Sequence, residues 1–265
     1  MKINVLFSPV VADELYFTGK TVVVIDVLRA SGVIITALEN GAKEIIPVAT
    51  VEFAVKVSGG MFGGQTLLGG ERNTKKIDGF ALGNSPLEYT REVVAGKTIV
   101  LYTTNGSKAI VKAKFAENLF ISNFSNLKTI AGHLAALGND VEILCAGRSN
   151  LFSLEDTVCS GRLVSEILKL IKDCQLSDSS KAALHLSKSF GTSIQKMLKE
   201  TEHGKILIDN GFESDIDYCA KLNTSEAIPF YSQNSIRLLP LSESQMQKEK
   251  KENEKEEKIT NKKRK

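Results

Sequence analysis

Residues 21–28 (TVVVIDVL) form a nearly unbroken apolar run. Such a run belongs to a strand buried on both faces, in a sheet that helices cover. Shorter β-branched or apolar stretches at 3–7, 44–49, 98–102, 118–121, 141–146 and 234–239 predict further strands, and QTLLGGE adds one between glycine-marked loops. Helical spacing alternates with these strands. It covers 31–40, with Gly41 as a stop, then 51–57, 86–94, 107–114, 126–137 and 156–172. Residues 179–201 predict one or two more helices, and 204–221 a helix around Gly211. Strand–helix–strand order is the signature of βαβ units. The fold class predicted is α/β, in three layers, with a mostly parallel or mixed sheet between helices. Two lobes, 1–125 and 126–242, with the site in the cleft between them, are the arrangement considered within residues 1–242.

Two stretches break the pattern. Residues 71–90 (ERNTKKIDGFALGNSPLEYT) are polar, irregular and rich in turn residues, which is uncommon in a compact domain unless the segment has a task. From Glu243 the chain is Lys, Glu, Asn and Gln with almost no apolar residue, and such a segment cannot bury enough surface to offset its ordering entropy. This tail, 243–265, is expected to be disordered.

Charge changes the picture only locally. The whole chain of 265 residues has a formal net charge of +3, from 34 Lys+Arg and 31 Asp+Glu. The tail holds nine of the bases and six of the acids, so the body is formally neutral and has no electrostatic footprint for nucleic acid. The four cysteines show neither CxxC nor zinc-type spacing and read as core or surface thiols of a reducing compartment. No stretch approaches 18 apolar residues, and the N-terminus lacks the pattern of a signal peptide. A cytoplasmic protein that binds neither membrane nor nucleic acid is expected.

Ligands of parallel α/β sheets bind beyond the carboxyl ends of the strands. At those ends stand Asp26, Arg29 and Ser31; Thr103, Thr104, Asn105 and Gly106; and Gly147, Arg148, Glu155 and Asp156. The irregular segment adds Glu71, Arg72, Asn73, Asn84 and Ser85. Carboxylates hold Mg²⁺, while arginine forks and helix N-terminal amides hold phosphate oxygens. Each residue also has a plainer reading. Asp26 in an apolar strand needs a partner, and Arg29 is the nearest candidate, although burial at a strand end favours a tuned functional group. Glu155 and Asp156 suit the macrodipole of a first helical turn, Glu71 and Arg72 a solvated turn, and Thr103–Gly106 an ordinary strand–helix turn. His133, His185 and His203 show no ligand spacing and read as structural or exposed. Nucleophile-elbow, P-loop and dinucleotide motifs are absent.

Taken together, VIDVLRAS (24–31), TALENGAKEIIPV (36–48), LLGGERN (67–73), GFALGNSPLEYT (79–90), GKTIVLYTTNGSKA (96–109) and ILCAG…FSLEDTVCSG (143–161) closely resemble the 2-phosphosulfolactate phosphatases, in order and approximate spacing. The resemblance covers most of residues 1–162 and weakens beyond 175. It implies a Mg²⁺-dependent phosphatase converting (2R)-2-phospho-3-sulfolactate into 3-sulfolactate and phosphate, a step that serves coenzyme M synthesis in methanogens. Many bacteria carry relatives without an obvious need for that coenzyme. By analogy, Asp26, Glu71, Glu155 and Asp156 are the metal candidates, and Asp26, Arg29 and Glu155 the catalytic ones. Ser31, Arg72, Asn84, Ser85, Thr103, Thr104, Asn105, Gly106 and Arg148 are the substrate-binding candidates. Asp26 is followed by Val27-Leu28-Arg29 instead of a DxDx[TV] pattern, which favours direct attack by water over an aspartyl-phosphate intermediate. The alternatives are a phosphatase of another small phosphorylated hydroxy acid and a non-catalytic anion-binding relative. The partner expected is a small anionic phosphate ester, and a homodimer is the default assembly.

Overall fold

The computed structural model describes residues 1–60, 65–190 and 193–239, so the predicted tail lies outside the described residues. In chain order the elements are β1 (Lys2–Leu6), β2 (Thr21–Ile25), α1 (Ala30–Glu39), β3 (Glu44–Val48), α2 (Val51–Gly59), β4 (Thr66–Arg72), β5 (Lys75–Lys76) and α3 (Arg91–Val94). There follow β6 (Thr98–Tyr102), α4 (Gly106–Lys112), β7 (Asn118–Ser122), α5 (Leu127–Leu137), β8 (Val141–Cys145), α6 (Leu154–Leu170) and β9 (Gln175–Leu176). Helices α7 (Asp178–Phe190), α8 (Ile194–Glu200), α9 (Glu202–Asp209) and α10 (Glu213–Cys219) precede the hairpin β10 (Pro229–Ser232) and β11 (Ser235–Leu238).

The strands join in the order β5-β4-β6-β3-β11-β10-β7-β2-β8-β1-β9. One parallel set is β4-β6-β3, the other β7-β2-β8-β1-β9, and the antiparallel hairpin β10–β11 bridges them. Strands from either side of residue 125 are neighbours, as with β2 and β8.

The period of two explains the layers. In β2, Val23 and Ile25 join the core formed with α5 and α6, while Val22 and Val24 face the core of α1 and α4. In β6, Ile99 and Leu101 turn to that same α1–α4 core, and Val100 and Tyr102 turn to a smaller cluster under α2. Each parallel set is therefore covered on both faces, as the apolar runs require, and the two sets share the inner helices α1 and α4.

Three local readings change. Residues 86–94 are not one helix. A 3-10 turn at Pro86–Glu88 is followed by α3, and the break falls at Tyr89, whose fully buried ring donates its hydroxyl to Gly83 O at 2.7 Å. Residues 204–221 split into α9 and α10 because Gly211 takes φ +83°. Strand β10 was not predicted. Its partner β11 was, and the turn between them uses Gln233 and Asn234 at φ 51° and 63° in place of the usual Asn-Gly signal.

Helices α6 and α7 touch through Gly161, where a Cβ would lie 2.0 Å from Ala183 O. Backbone on both sides leaves no room to yield. Gly161→Val is expected to lower stability by about 1–3 kcal/mol or more. Urea unfolding followed by far-UV circular dichroism checks it, with a lowered midpoint as the expected result.

Candidate active site

The carboxyl ends of β2, β4, β6 and β8 open on one cavity of about 200 Å³. Asp26 and Arg29 reach it from β2, and Glu71 with the turn Asn73–Thr74 from β4. Thr103, Thr104 and Asn105 line it beyond β6, and Arg148 and Ser149 beyond β8. Asn84 closes one wall and His203 another.

Asp26 is 6% exposed. Its Oδ1 accepts the Ala30 amide at 3.1 Å, and its own amide donates to Ser31 Oγ at 2.9 Å. A Cβ at position 106 would stand 2.4 Å from Asp26 Oδ2, so Gly106 makes room for the carboxylate. Burial pushes the Asp26 carboxyl up to about 6; His203 and the Ala30 amide pull it down, and the charges of Glu71 and Glu155 raise it.

Arg29 does not pair with Asp26. Its Nη1 donates to Asp215 Oδ2 at 2.6 Å, its Nη2 donates to Thr74 O at 2.8 Å, and the guanidinium lies 4.2 Å over the Phe212 ring. Asp215 Oδ1 accepts the Ser85 hydroxyl at 2.6 Å. Arg29 is 1% exposed and Asp215 2%, so each charge depends on the other. Asp215 and Phe212 carry no motif in the sequence that would have marked them.

Two of the acids are organisers. Glu71 accepts the Thr104 amide on Oε1 at 2.8 Å and the Thr74 amide on Oε2 at 2.9 Å. Asp156 accepts the Val27 amide at 2.9 Å and the Gly147 amide at 3.0 Å, which ties the end of β2 to the end of β8. Burial, then the charges of Asp26 and Glu155, hold the Asp156 carboxyl well above its ordinary range. Thr103 and Ser107 exchange hydrogen bonds between side-chain hydroxyl and backbone amide at 2.7 and 2.9 Å and so start α4. Asn105 Oδ1 accepts the Ser149 amide at 3.0 Å.

Of the residues singled out in the sequence, Asp26, Arg29, Glu71, Asn73, Asn84, Thr103, Thr104, Asn105 and Arg148 line the cavity. Glu155 lines an adjoining cavity that shares Arg148, Ser149 and His203. Ser31, Ser85, Gly106 and Asp156 stand behind the wall and shape it. Arg72 is exposed on the β4–β5 hairpin and does not reach the cavity. His203 is the histidine, among the three read from the sequence as structural or exposed, that stands at the cavity. It lines the cavity, with Nδ1 3.7 Å from Glu155 Oε1. Thr74 and Ser149 were also missed, because both sit in turns at φ 69° and 50° that no spacing announces.

Three buried polar atoms on the cavity wall, Thr74 Oγ1, Asn84 Oδ1 and Thr104 Oγ1, have no hydrogen-bond partner among the described residues. Buried polar atoms are nearly always paired, so three orphans around one small cavity mark a place for a polar ligand. Among the described residues no three acidic, histidine or cysteine side chains converge into a metal cage. The donor set instead suits an ion held by one or two carboxylates together with waters and phosphate oxygens. Of the four metal candidates, Glu71 and Asp156 each carry two backbone amides, which leaves Asp26 and Glu155 as the better fit.

Fold and cavity define an α/β protein with a small, polar, acid-lined cavity at the carboxyl ends of its strands. A family model described as 2-phosphosulpholactate phosphatase matches residues 10–234. A relative from Clostridium novyi, described as probable 2-phosphosulfolactate phosphatase, is 42% identical over 229 residues, spanning 86% of this chain and 96% of its own. Relatives with the same description from Clostridium beijerinckii and Clostridium tetani are 37% and 40% identical over 89% of this chain, and 99% and 100% of theirs. The chain belongs to the 2-phosphosulfolactate phosphatase family, a family of phosphoric monoester hydrolases.

Removing Asp215 strands the Arg29 charge in the interior. Asp215→Ala is expected to destabilise the fold by about 3–5 kcal/mol. Guanidinium unfolding checks it, and a loss under about 1 kcal/mol would show the pair to be as weak as a surface ion pair.

Proposed function

We propose that this chain hydrolyses 2-phospho-3-sulfolactate to 3-sulfolactate and phosphate, with Mg²⁺ as its cofactor. The observation that carries this reading is the set of three orphaned polar atoms on one small acid-lined cavity of a chain that belongs to the phosphatase family. A cavity of about 200 Å³ is smaller than the usual drug-sized pocket, which suits a three-carbon phospho-acid. The reaction is the one that serves coenzyme M synthesis where that cofactor is made, and a cytoplasmic setting fits it.

The charge balance supports a divalent cation. Asp26 and Glu71 line the cavity and Glu155 stands beside it, while the two arginines there already face Asp215 and Glu202. A substrate bearing phosphate, sulfonate and carboxylate would add negative charge to an acidic wall. Asp26 and Glu155 would hold Mg²⁺, which would neutralise phosphate oxygens and lower the pKa of a bound water.

The chain's own groups have separable tasks. Asp26 has one oxygen on the Ala30 amide, and its other oxygen would orient an attacking water beside the cation and accept that water's proton. Asn105, tied to Ser149, keeps the loops after β6 and β8 together over the reacting group. Arg148 is about a third exposed and its partner Glu202 lies in solvent, so its fork can turn from that weak pair to an incoming acid group. Most of the rate enhancement of phosphoryl transfer comes from such positioning and charge neutralisation.

The test is phosphate release from racemic 2-phosphosulfolactate, with Mg²⁺ and with EDTA, beside a panel of other phosphorylated hydroxy acids. Release confined to the Mg²⁺ sample, and fastest with 2-phosphosulfolactate, is expected. Undiminished release in EDTA would remove the cation, and faster release from another phospho-acid would remove the substrate.

A further inference from the structure

We propose that Thr74 and Thr104 bind the substrate's sulfonate and so set specificity; this rests on the reading of the site as a 2-phosphosulfolactate phosphatase. Both residues are anchored to one carboxylate. Glu71 accepts the Thr104 amide on one oxygen and the Thr74 amide on the other, at 2.8 and 2.9 Å. The two backbones are thus fixed side by side, and both hydroxyls are buried on the same cavity wall without a partner among the described residues. Thr74 is held from its other side as well, since its carbonyl accepts Arg29 Nη2 at 2.8 Å.

The backbone at Thr74 points the same way. Its φ is 69°, a left-handed conformation that β-branched residues avoid. Glycine or asparagine would sit there with less strain. A threonine kept in that conformation, with its hydroxyl unsatisfied, is paired only when something enters the cavity.

The chemistry of the wall selects the group. Hydroxyls are neutral donors, and the Glu71 carboxylate lies between the two backbones. Repulsion from that carboxylate scales with ligand charge, so a singly charged acid group is tolerated there better than a doubly charged phosphate. A sulfonate carries one negative charge over three oxygens and accepts from both hydroxyls at once. Thr74 and Thr104 would therefore read the part of the substrate that distinguishes 2-phosphosulfolactate from 2-phospholactate, which has a hydrogen in place of the sulfonate.

The experiment compares kcat/KM of the parent, Thr74→Val, Thr104→Val and Thr74→Ser on those two substrates, with thermal unfolding of each protein. Valine keeps the β-branch and removes the hydroxyl. Each valine variant is expected to lose about 10–100-fold on 2-phosphosulfolactate, the range of a hydrogen bond to a charged group. Little change is expected on 2-phospholactate. Thr74→Ser keeps the hydroxyl and should restore the preference, and unfolding midpoints should stay at the parent value because the hydroxyls have no partner to lose. Equal losses on both substrates, or losses that track a lowered midpoint, would overturn the assignment. A parent active on 2-phosphosulfolactate with unaffected valine variants overturns the assignment alone, whereas a parent inert on it overturns the underlying reading.

Discussion

A guanidinium buried to 1% exposure must find its counter-charge inside the protein, and Arg29 finds it 186 residues away on α10. That distance makes the pair a constraint on the whole chain. Arg29 follows the central strand β2, and Asp215 arrives only when the C-terminal helices fold back over the strand ends. The same two side chains hold Thr74 O and Ser85 Oγ, so the irregular segment after β4 is fixed by the pair too. Leaving either charge buried without the other is costly, so the pair fixes where α10 sits over the strand ends. The cavity wall is in this sense a product of long-range closure.

The acids around the cavity divide by what their oxygens already do. Glu71 and Asp156 each spend both oxygens on backbone amides and join segments that come from distant parts of the chain. Asp26 gives one oxygen to the Ala30 amide, and Glu155 Oε1 stands 3.7 Å from His203 Nδ1. Crowding of like charges and loss of water raise the proton affinity of Asp26, and Gly106 leaves its carboxylate room to stay at the cavity mouth. Organising acids thus shape the electrostatics of the reacting one.

Much of this was legible in the sequence because it depends on local pattern. The apolar run at 21–28 required a sheet with two covered faces, and its end marked Asp26. The turn after β6 and the polar segment at 71–90 stood out by composition, and Asn84, Thr103, Thr104 and Asn105 followed from them. What stayed hidden depends on contacts between distant residues or on backbone conformation. Arg29 looked like a partner for Asp26 or for phosphate, since nothing near it reveals Asp215. His203 lies on a short helix with no second ligand at helical spacing. Thr74 is one residue beyond LGGERN, and only its left-handed turn brings the hydroxyl inward. Arg72 lies away from the cavity because alternation along β4 sends its side chain opposite to that of Glu71.

The most direct measurement of the central claim, that Asp26 is the reacting carboxyl of this cavity, is steady-state phosphate release by Asp26→Asn alongside its unfolding curve. A fall in kcat of about 10²–10⁴-fold is predicted, the range for loss of a positioned acid–base group, in a protein that unfolds at the parent's midpoint or above it. Turnover equal to the parent's in a fully folded Asp26→Asn protein would contradict the claim and move the chemistry to another residue.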